Sequence, residues 1–171
     1  KFLPFPFEEV GEMEAALVTG HCQAETADVS KIAEGRTGFH GQIGNYMVLP
    51  EMITLDPFSP VIAAGDAEWT RVVDWTSYTL VQADILGITQ ANADAMSRTG
   101  SDAARMVLGT RRGMGWPLGL PEGWGLKVVE AVGNYGEVFA RDLGDKSRIG
   151  LDRGFNKPWT QGGLLWAPPV R

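Results

Sequence analysis

The sequence predicts an α/β chain, mixed in character as far as about residue 65 and mostly helical beyond it. Two patterns carry that expectation. Before residue 65, short apolar stretches of strand length are bounded by Gly and Pro; after it, apolar residues recur at helical spacing over longer runs. The 171 residues, 44% of them apolar and 21% charged, suit a globular chain of one or two small units. The change near residue 65 is the one candidate boundary, dividing 1–64 from 65–171.

Phe2, Phe5 and Phe7 are separated by Pro4 and Pro6, which predicts an extended lead-in. From Glu8 to Val18, Val10, Met13, Ala16 and Leu17 share a face, with acids at the front and Gly20 as a stop, so a short amphipathic helix is expected. Cys22, Ala24 and Thr26 then alternate with Gln23 and Glu25, the period of a strand whose end delivers Asp28 and Ser30 into a loop. Residues 31–44 are Gly-rich and polar, and no element is assigned to them. Tyr46–Leu49, closed by Pro50, and Val61–Ala64, after Pro57 and Pro60, are two further expected strands.

Asp66 is an N-cap for the longest helix, which runs to Leu86 with Trp69, Val72, Val73, Thr76, Leu80 and Ala83 along one face. Thr89 caps a shorter helix ending near Met96. Residues 97–123 form a Gly-rich passage with a helical turn near Ala103–Leu108. From Glu122 to Leu143, Trp124, Val128, Val129, Val132, Tyr135, Val138 and Phe139 predict one more helix, weakened by Gly133 and Gly136. The tail from Lys146 to Arg171 is expected to wrap without a helix.

Composition narrows the function. With 15 basic and 21 acidic residues and a net charge of -6, the chain lacks the positive surface that drives nucleic-acid binding or adsorption to anionic lipid. Cys22 is the only cysteine, so neither an internal disulfide nor a Cys-rich zinc site can form within the chain. No apolar run approaches the ~20 residues of a membrane helix, and the opening stretch is too short and Pro-rich for a signal peptide.

Catalytic and cofactor signals are weak. His21 and Cys22 are neighbours on an expected strand, so their side chains point to opposite faces; Cys22 with His40 is the remaining nucleophile pairing, against which stands a structural cysteine. The two histidines show no metal-ligand spacing. Gly113-Met114-Gly115 and Gly123-Trp124-Gly125 lack the strand and third glycine of a dinucleotide fingerprint and are expected to be turns. Trp69 and Trp75 fit core or interface roles. No enzyme activity, metal or cofactor is therefore predicted. Asp28 differs in kind: a carboxylate at the end of a strand stands where open α/β sheets place ligand groups, and it could take a charge-assisted hydrogen bond from an ammonium. Its alternative is a loop-capping Asp.

The segment Gly20-His21-Cys22-Gln23-Ala24-Glu25-Thr26-Ala27-Asp28-Val29-Ser30 resembles the Gly-x-Cys-Asp-Ala-x-Thr-x-Asp-x-Ser element of periplasmic substrate-binding proteins from ABC transporters for general, polar L-amino acids. Three more blocks agree in order: Val48-Leu49-Pro50-Glu51 with Asp56-Pro57 and Gly65-Asp66; Trp69 through Gly87-Ile88-Thr89-Gln90-Ala91-Asn92; and Val132-Gly133-Asn134-Tyr135-Gly136-Glu137 with the terminal Ala167-Pro168-Pro169-Val170-Arg171. The resemblance covers about Phe7 to Arg171 and is weakest over 97–121. It implies the carboxyl-terminal half of a two-lobe, type II periplasmic binding fold that closes over one amino acid. It further implies that Asp28 holds the ligand's α-ammonium, with Thr26 and Ser30 beside it, that residues near 50–64 pass the hinge, and that helix 66–86 belongs to the other lobe.

The resemblance also implies a periplasmic location and a membrane permease as partner. Gln23, Glu25 and Ala27 depart from the family's usual Asp, often aromatic and hydroxyl residues, which bears on side-chain preference. The family's carboxylate-gripping arginine and Ser/Gly/Thr-rich turn lie upstream of anything resembling Lys1, so the residues present are expected to supply the ammonium side alone. The chain is then expected to be a fragment, proteolytic or genetic, of such a binding protein, or one chain of a binding protein whose other chain supplies the first lobe, with the carboxylate clamp coming in trans. Two other readings stay open: a ligand-free interaction module prone to self-association, and a Cys22 enzyme.

Overall fold

The computed structural model describes residues 3–38 and 45–170, and for Arg36 and Thr37 the backbone alone. Helix α1 (Val10–Val18) falls within the expected 8–18, with Ala16 buried and Met13 and Leu17 half-buried. It ends where the Thr19 hydroxyl donates to the Ala15 carbonyl at 2.8 Å and the Cys22 N–H reaches back to the Ala16 carbonyl at 2.9 Å. The second bond occupies a carbonyl of the last helical turn, and the first adds a side-chain donor to the Ala15 carbonyl that the Thr19 N–H already reaches. Phe5 packs against Phe7 and, edge on, against His21, with ring centroids 5.1 and 5.9 Å apart, so the lead-in returns to the chain that follows α1.

The sequence places Ser30 in a loop, but the structure starts a second helix, α2 (Val29–Gly38), directly after Asp28. Two glycines and a polar composition hide it, since propensity there is poor. Packing compensates: Ala33 is buried, and Glu14 of α1 lies over Gly35, where a Cβ would come within 2.6 Å of its Oε1.

The three expected strands do not form ladders. Residues 22–28, 46–49 and 61–63 carry neither strand nor bridge, and the bridge found among the described residues joins Pro158 to Leu165 in the tail. An apolar run supplies the tendency, yet a strand exists only when a neighbour takes up its N–H and C=O groups. No described segment is that neighbour. The apolar side chains between are consequently exposed, Met47 by 79%, Ile53 by 80% and Val61 by 95%.

Beyond residue 65 the helical expectation holds. In α3 (Ala67–Ile85) the Asp66 carboxylate accepts the Trp69 N–H at 2.8 Å, the N-cap the sequence predicts. Ala83 is buried as expected and Val72, Val73, Thr76 and Leu80 half-buried, whereas Trp69 is exposed and the fully buried member is Thr79. Helix α4 (Ala93–Thr99) begins later than predicted: Thr89 and Asn92 bond each other reciprocally, at 2.7 and 3.3 Å, and Asn92 occupies the cap position. The predicted turn near 103–108 is α5 (Asp102–Val107), capped by Ser101. Gly113 and Gly123 adopt the positive φ of the expected turns.

The helix predicted over 122–143 is two. After α6 (Trp124–Val132), Gly133 takes φ 83°, a conformation hostile to other residues, and α7 (Tyr135–Asp142) restarts from Asn134. The buried core consists of Ala83, Ile88, Ala93, Ala104, Val107, Leu108 and Val129, with Leu86, Met96, Leu126 and Val170 packed against it. Its alanines let α3, α4, α5 and α6 approach closely. The tail has two single 3-10 turns, Gly154–Asn156 and Trp159–Gln161, and is fixed to α3 at two places. Gln82 donates to the Ala167 carbonyl at 2.5 Å, and Arg153 forms an ion pair with Asp84 while its guanidinium lies 5.5 Å from the Tyr135 ring centroid.

Two substitutions test this arrangement. Asn134→Ala removes a cap and strips the buried Ile88 carbonyl of its 2.8 Å donor, so urea unfolding should show a loss of about 2–3 kcal/mol. Gly136→Ala puts a Cβ 2.7 Å from Arg153 Nη1 and 2.9 Å from Asp84 Oδ1; the pair must shift, and the melting midpoint should fall by the equivalent of about 1–3 kcal/mol.

Candidate functional site

Thr26, Asp28 and Ser30 meet where the unpaired segment 22–28 runs into α2. The Asp28 carbonyl accepts the Ile32 N–H at 3.0 Å, placing Asp28 at the cap position, and its side chain is exposed. A carboxylate there faces the positive end of the helix. Thr26 is exposed on the approach, while Ser30 is half-buried in the first helical turn and not in a loop. The three are adjacent through the chain itself and present an open surface.

Sequence reasoning missed what lies beside them. Glu25 is half-buried, and its Oε2 is enclosed with no hydrogen-bond partner. Burial raises its pKa above the ordinary glutamate value, and the Glu14 carboxylate raises it further. Glu14 reaches this position by lying across Gly35. Glu14 of α1 is thus near enough to Glu25 to oppose its ionisation, and Asp28 lies three residues further along the chain. No local signal could have revealed Glu14, because the contact depends on α2, a helix the composition conceals.

Other candidates are accounted for differently. Cys22 is half-buried, with its backbone closing α1, and His21 packs on Phe5; His40 lies outside the described residues. Arg153 is committed to Asp84, with side chains only 18% and 9% exposed, and Gly136 makes room for the pair. Two open cavities among the described residues, about 390 and 290 Å³, are lined by Phe139, Leu151 and Arg153 and by Arg71, Trp116 and Leu118, respectively, and neither includes Thr26, Asp28 or Ser30. Among the described residues no group of three or more His, Cys, Asp or Glu gathers to hold a metal, and no helix is long and apolar enough to cross a membrane.

Glu25 provides a test of this geometry. A raised folded-state pKa means that the folded chain binds the proton more tightly than the unfolded one, so stability is greatest below the ordinary glutamate range and falls as pH rises through the folded value. Glu25→Gln should therefore be more stable than the parent at pH 7, with the difference vanishing below about pH 4, as read from paired denaturation curves.

No family model matches the chain. It is 38% identical over 173 aligned residues, its whole length, to the general L-amino acid-binding periplasmic protein AapJ of Rhizobium johnstonii, and spans 50% of that protein. It is 37% identical to the glutamate/glutamine/aspartate/asparagine-binding protein BztA of Rhodobacter capsulatus, over 99% of this chain and 50% of that one. A putative amino-acid ABC transporter-binding protein of Escherichia coli is 35% identical, again over half of its length. Among solved structures, an ABC transporter periplasmic binding protein from Brucella ovis with glutathione bound superposes with a TM-score of 0.84 at 38% identity, covering 96% of this chain and 52% of that one. The chain thus spans about half the length of the relatives it matches.

Proposed function

We propose that this chain serves to bind an L-amino acid in the extracytoplasmic substrate-binding component of an ABC importer, as the counterpart of the carboxyl-terminal half of the periplasmic amino-acid-binding proteins it resembles. The observation that carries the reading is agreement in both sequence and shape along the whole chain. Asp28 receives the α-ammonium, with Thr26 and Ser30 as flanking hydroxyls. The carboxylate end is gripped by the half of the fold that this chain does not span. Residues 1–64 complete the second lobe and its hinge strands; 65–171 form the helical return to the first lobe and the tail that wraps it. The site works in the periplasm, does no chemistry on its ligand, and hands it to a membrane permease.

A second reading, a ligand-free interaction module, is favoured by one observation, the exposed apolar run from Met47 to Val61. Calorimetry separates the two. Titration of the chain alone with glutamate or glutamine should give no measurable heat, whereas the chain completed by the amino-terminal half of a relative should bind. In that complete form Asp28→Ala should weaken binding by about 2 kcal/mol or more, roughly thirtyfold in Kd. Tight binding by the chain alone refutes the one-sided site; full affinity in Asp28→Ala refutes the role of Asp28.

A further inference from the structure

Oppositely charged side chains three or four residues apart on a helix ordinarily pair, and in α4, α5 and α6 they do so: Asp94 with Arg98, Asp102 with Arg105 and Lys127 with Glu130. Glu68 and Arg71 of α3 have the same spacing and order as Asp102 and Arg105. Among the described residues, however, neither side chain has an ion-pair or hydrogen-bond partner. Both are exposed, and both line the cavity of about 290 Å³ that Trp116, Pro117, Leu118 and Gly119 complete.

The Trp116 indole is 86% exposed, although a tryptophan ordinarily contributes a large buried apolar area. Its backbone is fixed. Trp116–Leu118 form a 3-10 turn, the N–H groups of Leu118 and Leu120 both donate to the Gly115 carbonyl at 3.0 Å, and that of Gly119 donates to the Trp116 carbonyl at 3.0 Å. Gly115 sits so close beneath that a Cβ there would lie 2.2 Å from the Leu120 carbonyl oxygen. A planar apolar group is thus presented on a constrained turn, in one cavity with an unpaired cation and an unpaired anion. The volume is at the low end of small-molecule sites, which selects a ligand of amino-acid size.

We infer that this cavity is a binding site for an aromatic α-amino acid, separate from the Asp28 site: Trp116 takes the ring, Arg71 the carboxylate and Glu68 the ammonium. The ligand class follows from the chemistry. Opposite charges on one carbon suit two side chains whose Cβ atoms stand roughly 5–6 Å apart on a helix face, a guanidinium pairs with a carboxylate through two hydrogen bonds, and an aromatic ring packs on the indole. An aliphatic amino acid leaves Trp116 uncovered, and an aromatic acid without an amine leaves Glu68 unpaired. None of these residues contributes to the proposed Asp28 site, so the inference does not depend on that reading.

Titration with L-phenylalanine, followed by NMR on the ligand and on the Trp116 indole N–H, tests it. The chain should show saturable binding within about 10 mM, with phenylacetate, phenethylamine and L-alanine each binding more weakly. Trp116→Ala and Arg71→Gln should each raise Kd at least about tenfold with the melting midpoint unchanged, since both side chains are exposed, while Asp28→Ala should bind like the parent. The same binding should persist when the chain is fused to the amino-terminal half of the Rhizobium johnstonii relative. Absence of saturation, unchanged Kd in Trp116→Ala or Arg71→Gln, equal affinity for phenethylamine, loss of binding in Asp28→Ala, or loss in the fusion overturns the inference.

Discussion

One carboxylate oxygen, Glu137 Oε2, accepts two backbone N–H groups from different parts of the chain, that of Asn134 and that of Gln90, both at 2.9 Å. The first bond closes a capping box, in which Asn134 Oδ1 in turn accepts the Glu137 N–H at 2.9 Å, and so allows α7 to start immediately after α6 has stopped. The second fastens the link between α3 and α4 to that break. Asn134 adds a buried bond to the Ile88 carbonyl at 2.8 Å, and Gln90 reaches the Glu130 carbonyl at 2.8 Å. Ile88, whose carbonyl this junction binds, is itself a fully buried member of the core. The blocks Gly87–Asn92 and Val132–Glu137, separated by some forty residues, are thus two halves of one structural joint. Their resemblance to the family blocks has a packing explanation and needs no ligand.

The two parts of the chain satisfy their backbones by different means. Beyond residue 65 the caps, the 3-10 turns and the tail bonds are supplied locally or by α3, so the helix ends around the buried alanines, Ile88, Leu108 and Val129 find backbone partners nearby. Before residue 65 the described contacts are small: Ala16 and Ala33 buried, one aromatic cluster around Phe5, and Glu14 over Gly35. That asymmetry leaves the larger buried core in the second part and exposed apolar side chains in the first.

The site itself combines a legible residue with an illegible environment. Asp28 stands out in the sequence because a carboxylate follows an alternating run, and it still caps the element that follows. The Asp28 backbone carbonyl serves the helix, and its side chain is exposed. Glu25 looks in sequence like a surface residue on an alternating segment. It is half-buried with Glu14 of α1 close by, an outcome of tertiary contact.

By itself the sequence determined the helix-rich second part, the Asp66 cap, the stop after α1, the turns at Gly113 and Gly123, and the family resemblance, since each rests on local spacing or on a residue whose conformational preference dominates. Only the tertiary structure decided that α2 exists despite its glycines, that Gly133 breaks one expected helix into two, that Thr79 and not Trp69 enters the core, and that 22–28, 46–49 and 61–63 remain unpaired. The physical reason is common to all four. Helical hydrogen bonds close within a few residues and can be read from one stretch of chain, whereas burial and strand pairing require a second surface, and the sequence of one segment does not say whether that surface is present.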